Sequence, residues 1–215
     1  MTKKTLATLP EDIYNLFDPN IKHEVNEEHI DGMLGEMKTL LMSRLGGRGD
    51  NDHSGLRFSN IGRPDRQLWY TVNGEEREEL TPQTYFKFLY GDVIEQLIVF
   101  LAKEAGHEVT HEQAEVEVEG IKGHLDCVID GVTVDVKSAA PFSFQKFENG
   151  KLYEDDPFGY IKQLTGYANV VTPDTGGAFL AFNKVSGEIC IMNVGQSIVA
   201  SNKPADRIKY LKEMV

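Results

Sequence analysis

The chain reads as an α/β protein: a central mixed β-sheet flanked by helices, with a helical region ahead of it. Three observations predict this. Helical patterns and short apolar runs follow one another in the order helix, three strands, helix, two strands, which suits a sheet covered by helices. Asp130-Gly131 separates two apolar runs, 125–129 and 132–136, and suits a type I′ hairpin turn, whose two central residues must both accept φ > 0. The length of 215 residues supports one full hydrophobic core with a helical appendage.

In chain order, residues 10–45 predict helix, with Ile30, Met33, Leu34, Met37, Leu40, Leu41 and Leu45 on a 3–4 spacing. The run from Gly46 to Asp52 predicts a loop; no Gly-Lys-Ser/Thr follows, so it is not a phosphate-cradling P-loop. Thr81-Pro82 opens a helix, threonine as N-cap and proline in the first turn, which runs to about Ala105 and stops at Gly106. Strands are expected near 107–119, 122–129 and 132–138. A helix over 157–171 follows, with Asp156-Pro157 at its start and Pro173 beyond its end. Strands near 177–183 and 187–194 come next, joined through Lys184-Val185-Ser186-Gly187. The tail from Pro204 reads as a short amphipathic helix. The expected division is a helical region and loop over 1–55, a core over 56–200 and a terminal helix over 201–215.

Composition narrows the function classes. Hydrophobic content of 40% and charged content of 26% are ordinary for a globular protein. No run of about 18 apolar residues predicts a membrane span, and Met1 to Leu6 hold no long apolar signal region. Cys127 and Cys190 suit a reducing cytoplasm and form no disulfide framework. The net charge of −12 argues against a polyanionic partner, but its distribution is uneven. Residues 37–70 carry six basic side chains (Lys38, Arg44, Arg48, Arg57, Arg63, Arg66) against three acids, whereas 71–125 carry four against twelve. The basic stretch is either a solvated loop or a contact for a polyanion.

The hairpin carries the chemistry. With its turn at Asp130-Gly131, residues pair so that their numbers sum to 261, which sets Asp126 opposite Asp135 and His124 opposite Lys137. Leu125, Cys127, Ile129, Val132, Val134 and Val136 then share the other, apolar face. Two carboxylates opposed at roughly 5 Å destabilise a strand pair unless a cation holds them. Lys137 shares their face, and two acids with a lysine suggest metal-assisted phosphodiester hydrolysis; a solvated polar face is the plain alternative. Glu95 lies on a helical stripe with Gly91, Val99 and Ala102, costly to bury unless paired or metal-bound. Gln163 and Tyr167, four apart on a helix, project from one face and suit a nucleic-acid backbone or packing. His107-Glu108-Val109-Thr110-His111 matches H-E-x-x-H, but Gly106 has just ended a helix. On a strand its histidines would stand roughly 13 Å apart, too far for one zinc ion.

These residues resemble the RecB-like branch of the PD-(D/E)XK nucleases, which includes phage exonucleases and CRISPR-associated RecB-like nucleases. Gly91-Asp92-Val93-Ile94-Glu95 is similar to the family's helical G-x-x-x-(H/E) element, Gly123-His124-Leu125-Asp126 to its G-x-x-D strand, Asp135-Val136-Lys137 to its (D/E)-x-K core and Gln163-Leu164-Thr165-Gly166-Tyr167 to its Q-x-x-x-Y motif. Residues 59–70 resemble a segment of cluster-bearing members, with Pro64 at the cysteine position, so no iron–sulfur cluster is expected.

The resemblance implies a restriction-endonuclease-like core and a divalent-metal-dependent deoxyribonuclease, an exonuclease of phage or bacterial origin. Mg²⁺ or Mn²⁺ would be held by Asp126, Asp135, Glu95 and the Val136 carbonyl, with Lys137 acting on water or phosphate. Gln163, Tyr167, Arg66 and His124 would contact DNA, and Trp69 would pack or touch it. The expected partners are DNA and no membrane, with room for a homo-oligomer or a recombination or replication protein, in the cytoplasm. The alternative is a non-catalytic DNA-binding or assembly subunit that retains the fold.

Overall fold

A computed structural model describes residues 4–46, 55–73 and 80–214. Its helices are α1 (Leu9–Asn15), α2 (Glu27–Leu45), α3 (Asp65–Val72), α4 (Pro82–Glu104), α5 (Pro141–Glu148), α6 (Tyr160–Val171), α7 (Gln196–Ser201) and α8 (Pro204–Met214). The strands are β1 (Val109–Thr110), β2 (Glu115–Val118), β3 (Ile121–His124), β4 (Cys127–Ile129), β5 (Val132–Ala139), β6 (Gly177–Asn183) and β7 (Ile189–Val194). Five strands form one mixed sheet in the order β1-β4-β5-β6-β7, with β5 and β6 parallel and the other neighbours antiparallel. Strands β2 and β3 pair as a separate ribbon. Among the described residues no helix is long and apolar enough to cross a membrane.

The hairpin register is the expected one. Cys127 pairs with Val134, Val128 with Thr133 and Ile129 with Val132. Asp130 (φ 51°) and Gly131 (φ 81°) both occupy the left-handed region that a type I′ turn requires. Alternation along the sheet then sorts side chains into two layers. Val134 and Val136 of β5 and Ala178 and Leu180 of β6 pack beneath α1 and α4, against Leu9, Ile13, Ile94 and Ile98. Phe179 and Ala181 face the other way, with Phe144 and Phe147 of α5 and Leu164 of α6. A third cluster joins Phe58, Leu68, Leu125 and Tyr167 to Ile208 and Leu211 of α8. Leu125 thus leaves the hairpin's apolar face, because the chain bends away from β5 just before β4.

Several elements depart from the sequence expectation. Residues 10–45 are two helices, not one. Asp18 Oδ1 accepts hydrogen bonds from the backbone and side-chain nitrogens of Asn20 around Pro19, a turn that helix propensity cannot override. Asn26 then caps α2 by accepting from Glu28 N at 2.9 Å. None of the periodic apolar residues of α2 is buried. Instead Glu104 of α4 receives His23 and His29 at 2.9 and 2.6 Å near one end, and Arg44 meets Asp92 at 2.7 Å near the other. The strand expected over 107–119 is divided by a turn at His111 and Gln113, both at positive φ. Helices α3, α5 and α7 were not anticipated, each being eight residues or shorter. The α4 boundaries match: Thr81 accepts from Thr84 N, and Gly106 ends the helix at φ 79°. Most of the loop expected from Gly46 to Asp52 lies outside the described residues.

Candidate active site

The site forms where β4 and β5 part company. Past Cys127 the chain no longer follows β5. Leu125 N donates to Ala114 O at 3.2 Å, and Asp126 O accepts from Gln113 N at 3.0 Å, so this stretch bonds to the segment before β2. The ladder therefore stops one pair short of the two aspartates. Asp126 turns its carboxylate toward β5, where Oδ2 accepts from Val136 N at 2.7 Å. His124 is carried off with the β2–β3 ribbon and pairs with Glu115 rather than standing opposite Lys137, which corrects the sequence expectation. It is exposed, 3.9 Å from the Glu115 carboxylate.

Four predicted residues do come together. Asp135 is buried in the sheet, and Lys137 Nζ lies 2.5 Å from its Oδ2. That contact is an ion pair, and the Lys137 ammonium is the partner of this buried oxygen. Lys137 also sits 5.0 Å from the centre of the Tyr160 ring. Glu95 reaches in from α4. Burial first, then repulsion from Asp126, pushes its pKa up to about 9 against the pull of Lys137. Burial and the Asp135 charge likewise push Asp126 up to about 7. Burial opposes the Lys137 charge, but Asp135 and Asp126 outweigh it and hold the ammonium above the usual lysine range. Val136, the fourth proposed ligand, is a buried β5 residue whose N–H serves Asp126.

Two contacts lay beyond the reach of sequence reasoning. Gln113 Nε2 donates to Glu95 Oε1 at 2.7 Å, and its φ of 50° aims the amide there. Nothing in the sequence marks a glutamine for a left-handed turn. Asp92, one helical turn before Glu95, adds a fourth carboxylate whose pKa burial raises against the pairing with Arg44. The motif around Gly91 contained Asp92, and the basic count over 37–70 contained Arg44, but their pairing is tertiary.

Gln163 and Tyr167 share one face of α6 as expected, with the Gln163 side chain hydrogen-bonded to the Tyr167 hydroxyl. Tyr167 is 2% exposed and stacks on Phe58 at 4.6 Å between centroids, so packing is its first task. Burial and the Asp126 charge raise its pKa. Gly123 is required beside it: a Cβ there would lie 2.3 Å from the Phe58 Cβ and 2.5 Å from the Tyr167 hydroxyl. Tyr167, His124, Arg57 and Lys122 border an open groove of about 570 Å³. Arg66 lies exposed on α3, its guanidinium over the Tyr70 ring at 5.7 Å, and none of its contacts reaches the carboxylates. Trp69 packs edge-on against Tyr70. Of the H-E-x-x-H histidines, His107 is buried between Asp130 (2.7 Å) and Asp12 (3.1 Å), and His111 is exposed in the turn.

No family model and no curated protein sequence matches the chain. Among solved structures it is similar to the crystal structure of SSO0001, at 14% identity and TM-score 0.46 over 86% of this chain and 88% of that one. It is similar to an alkaline exonuclease, LHK-Exo, from Laribacter hongkongensis, at 14% identity and TM-score 0.44 over 82% and 95%. A structure of LHK-Exo in complex with dAMP gives 14% identity and TM-score 0.47 over 76% and 91%. Likeness at this level bears on no individual residue, and the functional reading rests on the site itself.

Proposed function

We propose that the chain is a divalent-metal-dependent deoxyribonuclease, with Asp126, Asp135, Glu95 and Lys137 as its reacting centre. One observation carries the reading: three carboxylates, Asp126, Asp135 and Glu95, share a partly desolvated site with one lysine, whose ammonium is the ion-pair partner of the buried Asp135 Oδ2. Such an excess of acid is costly, and here protons on Glu95 and Asp126 and the Lys137 ammonium offset it. The all-oxygen donor set fits a hard cation, Mg²⁺ or Mn²⁺, better than zinc. Asp126, Asp135, Glu95 and the Val136 carbonyl would hold it. Bound there, the ion would supply charge that polarises a phosphoryl oxygen and acidifies a water.

The protein's own groups divide the remaining work. Lys137 is held protonated by its two aspartates, so it serves as a hydrogen-bond donor and not as a general base. Its ammonium orients an attacking water or stabilises charge developing on the phosphate. Gln113 holds one oxygen of Glu95, leaving the other for the site. Gln163 lies one helical turn before Tyr167 and offers its amide to the strand beside the scissile phosphate.

One observation favours the non-catalytic alternative. Among the described residues no three His, Cys, Asp or Glu side chains close into a ready cage for a metal ion. Calorimetric titration with Mn²⁺ separates the two readings, because a DNA-binding subunit would not bind the ion at this hairpin. Digestion of end-labelled linear and closed circular DNA with Mg²⁺ or Mn²⁺ tests activity and end dependence together. Metal-dependent loss of the linear form, with the circle spared, is expected of an exonuclease; no cleavage of either form contradicts the proposal.

A further inference from the structure

Lys137 also borders a second space, whose lining does not include Glu95. A cleft of about 240 Å³ opens at the C-terminal end of β5, between α5 and the segment leading into α6. That volume is on the scale of one nucleotide and not of a base pair in its stack. Aromatic rings and lysines line it together. Phe158 and Tyr160 stack at 5.3 Å between centroids, and Phe158 stays 56% exposed. Lys137 stands over the Tyr160 ring, and Lys146 is tied to Asp155 at 2.5 Å. Lys184 is exposed at the rim, with no carboxylate paired to it among the described residues.

An exposed phenylalanine stacked on a tyrosine gains nothing from water, whereas a nucleobase offers it a π-face. Cations beside it suit the phosphates on either side of that base. A base inside a duplex has both faces covered by its neighbours and its edge held by its partner, so it cannot enter such a cleft. We propose that the cleft takes one unpaired nucleotide of the substrate strand, its base against the Phe158–Tyr160 stack and its phosphates toward Lys184 and Lys137. The site would then act on single-stranded DNA or on a melted end. This proposal rests on the nuclease reading above and names its substrate class.

The test compares binding of two fluorescent strands of equal charge by the full chain in Ca²⁺, an oligothymidylate and an abasic deoxyribose-phosphate strand. Base–aromatic stacking predicts that the wild type prefers the thymidylate and that Phe158→Ala removes about 10-fold of that preference. Binding of the abasic strand should be unchanged. Phe158→Leu, which keeps bulk but lacks the π-face, should lose the preference as well, while Lys184→Ala should weaken both strands alike. Full preference retained in Phe158→Ala and Phe158→Leu overturns the proposal, and so does tighter binding of a blunt duplex than of the thymidylate. Cleavage of the thymidylate and of linear duplex DNA with Mn²⁺ is followed in parallel. If the wild type cuts neither the thymidylate nor linear duplex DNA, or Asp135→Ala cuts as well as wild type, the nuclease reading falls and this proposal with it; if the wild type cuts the duplex and not the thymidylate, the cleft assignment alone falls. If cutting is normal and only the Phe158 effect is missing, the cleft assignment alone falls.

Discussion

At the scale of single residues, the site is a problem of crowded negative charge. Glu95 and Asp126 keep protons to about 9 and about 7, far above their unfolded values, so the folded state binds more protons than the unfolded chain across that range. Stability without divalent ions should therefore fall as pH rises from about 5 to about 9. Added Mn²⁺ should restore it, since a cation binds only after those protons leave. Urea denaturation at several pH values, with and without Mn²⁺, checks this; Asp126→Asn should flatten the curve. Gln113 allows a sharper check. Gln113→Gly removes the amide that holds Glu95, yet suits the positive φ. Mn²⁺ affinity should drop about 10-fold, as for other groups that orient a ligand, with no loss of melting temperature. Unchanged affinity would make Gln113 a turn residue only.

Between elements, polar anchors do what apolar faces usually do. Helix α2 buries no residue, and Glu104 holds it through His23, His29 and the Asn26 N–H. Burial raises the Glu104 pKa, but these partners outweigh it and leave it below the usual glutamate range. A depressed carboxylate stabilises the fold above its unfolded pKa, and this contribution disappears as pH falls through the folded value. Glu104→Gln should cost about 2 kcal/mol at neutral pH, and the gap from wild type should close in acid. Amide exchange in α2 should quicken in the variant; equal protection in both proteins would contradict the anchor.

What was legible at this scale follows from how local each signal is. The type I′ turn and the caps of α4 are written in adjacent residues, so they could be read directly. The break of the long helix at Asp18-Pro19-Asn20 was also local, but the apolar spacing beyond it drew the expectation across the gap. Helix α5 has too few residues for a period to show. The departure of Leu125 and Asp126 from β5 depends on bonds to Ala114 and Gln113, which no pattern in the hairpin announces.

For the molecule as a whole, the sheet gathers residues spread over more than forty positions, from Glu95 on α4 to Lys137 at the C-terminal half of β5. Helix α1 docks its Leu9 and Ile13 in the same core that supports β5, and α8 closes the cluster around Phe58 and Tyr167. Despite the net charge of −12, basic groups line both spaces: Arg57 and Lys122, the latter paired with Glu115, border the groove, and Lys146, paired with Asp155, and Lys184 border the cleft. On the nuclease reading proposed above, DNA binding should weaken steeply with salt.

The most direct measurement is cleavage of linear DNA by purified Asp135→Asn beside wild type, with Mn²⁺ and with melting followed on both proteins. The substitution keeps the shape of Asp135 and removes the charge that pairs with Lys137. The account predicts wild-type cutting that a chelator stops, and background cutting by a variant that is still folded. Equal cutting by the two proteins would contradict it.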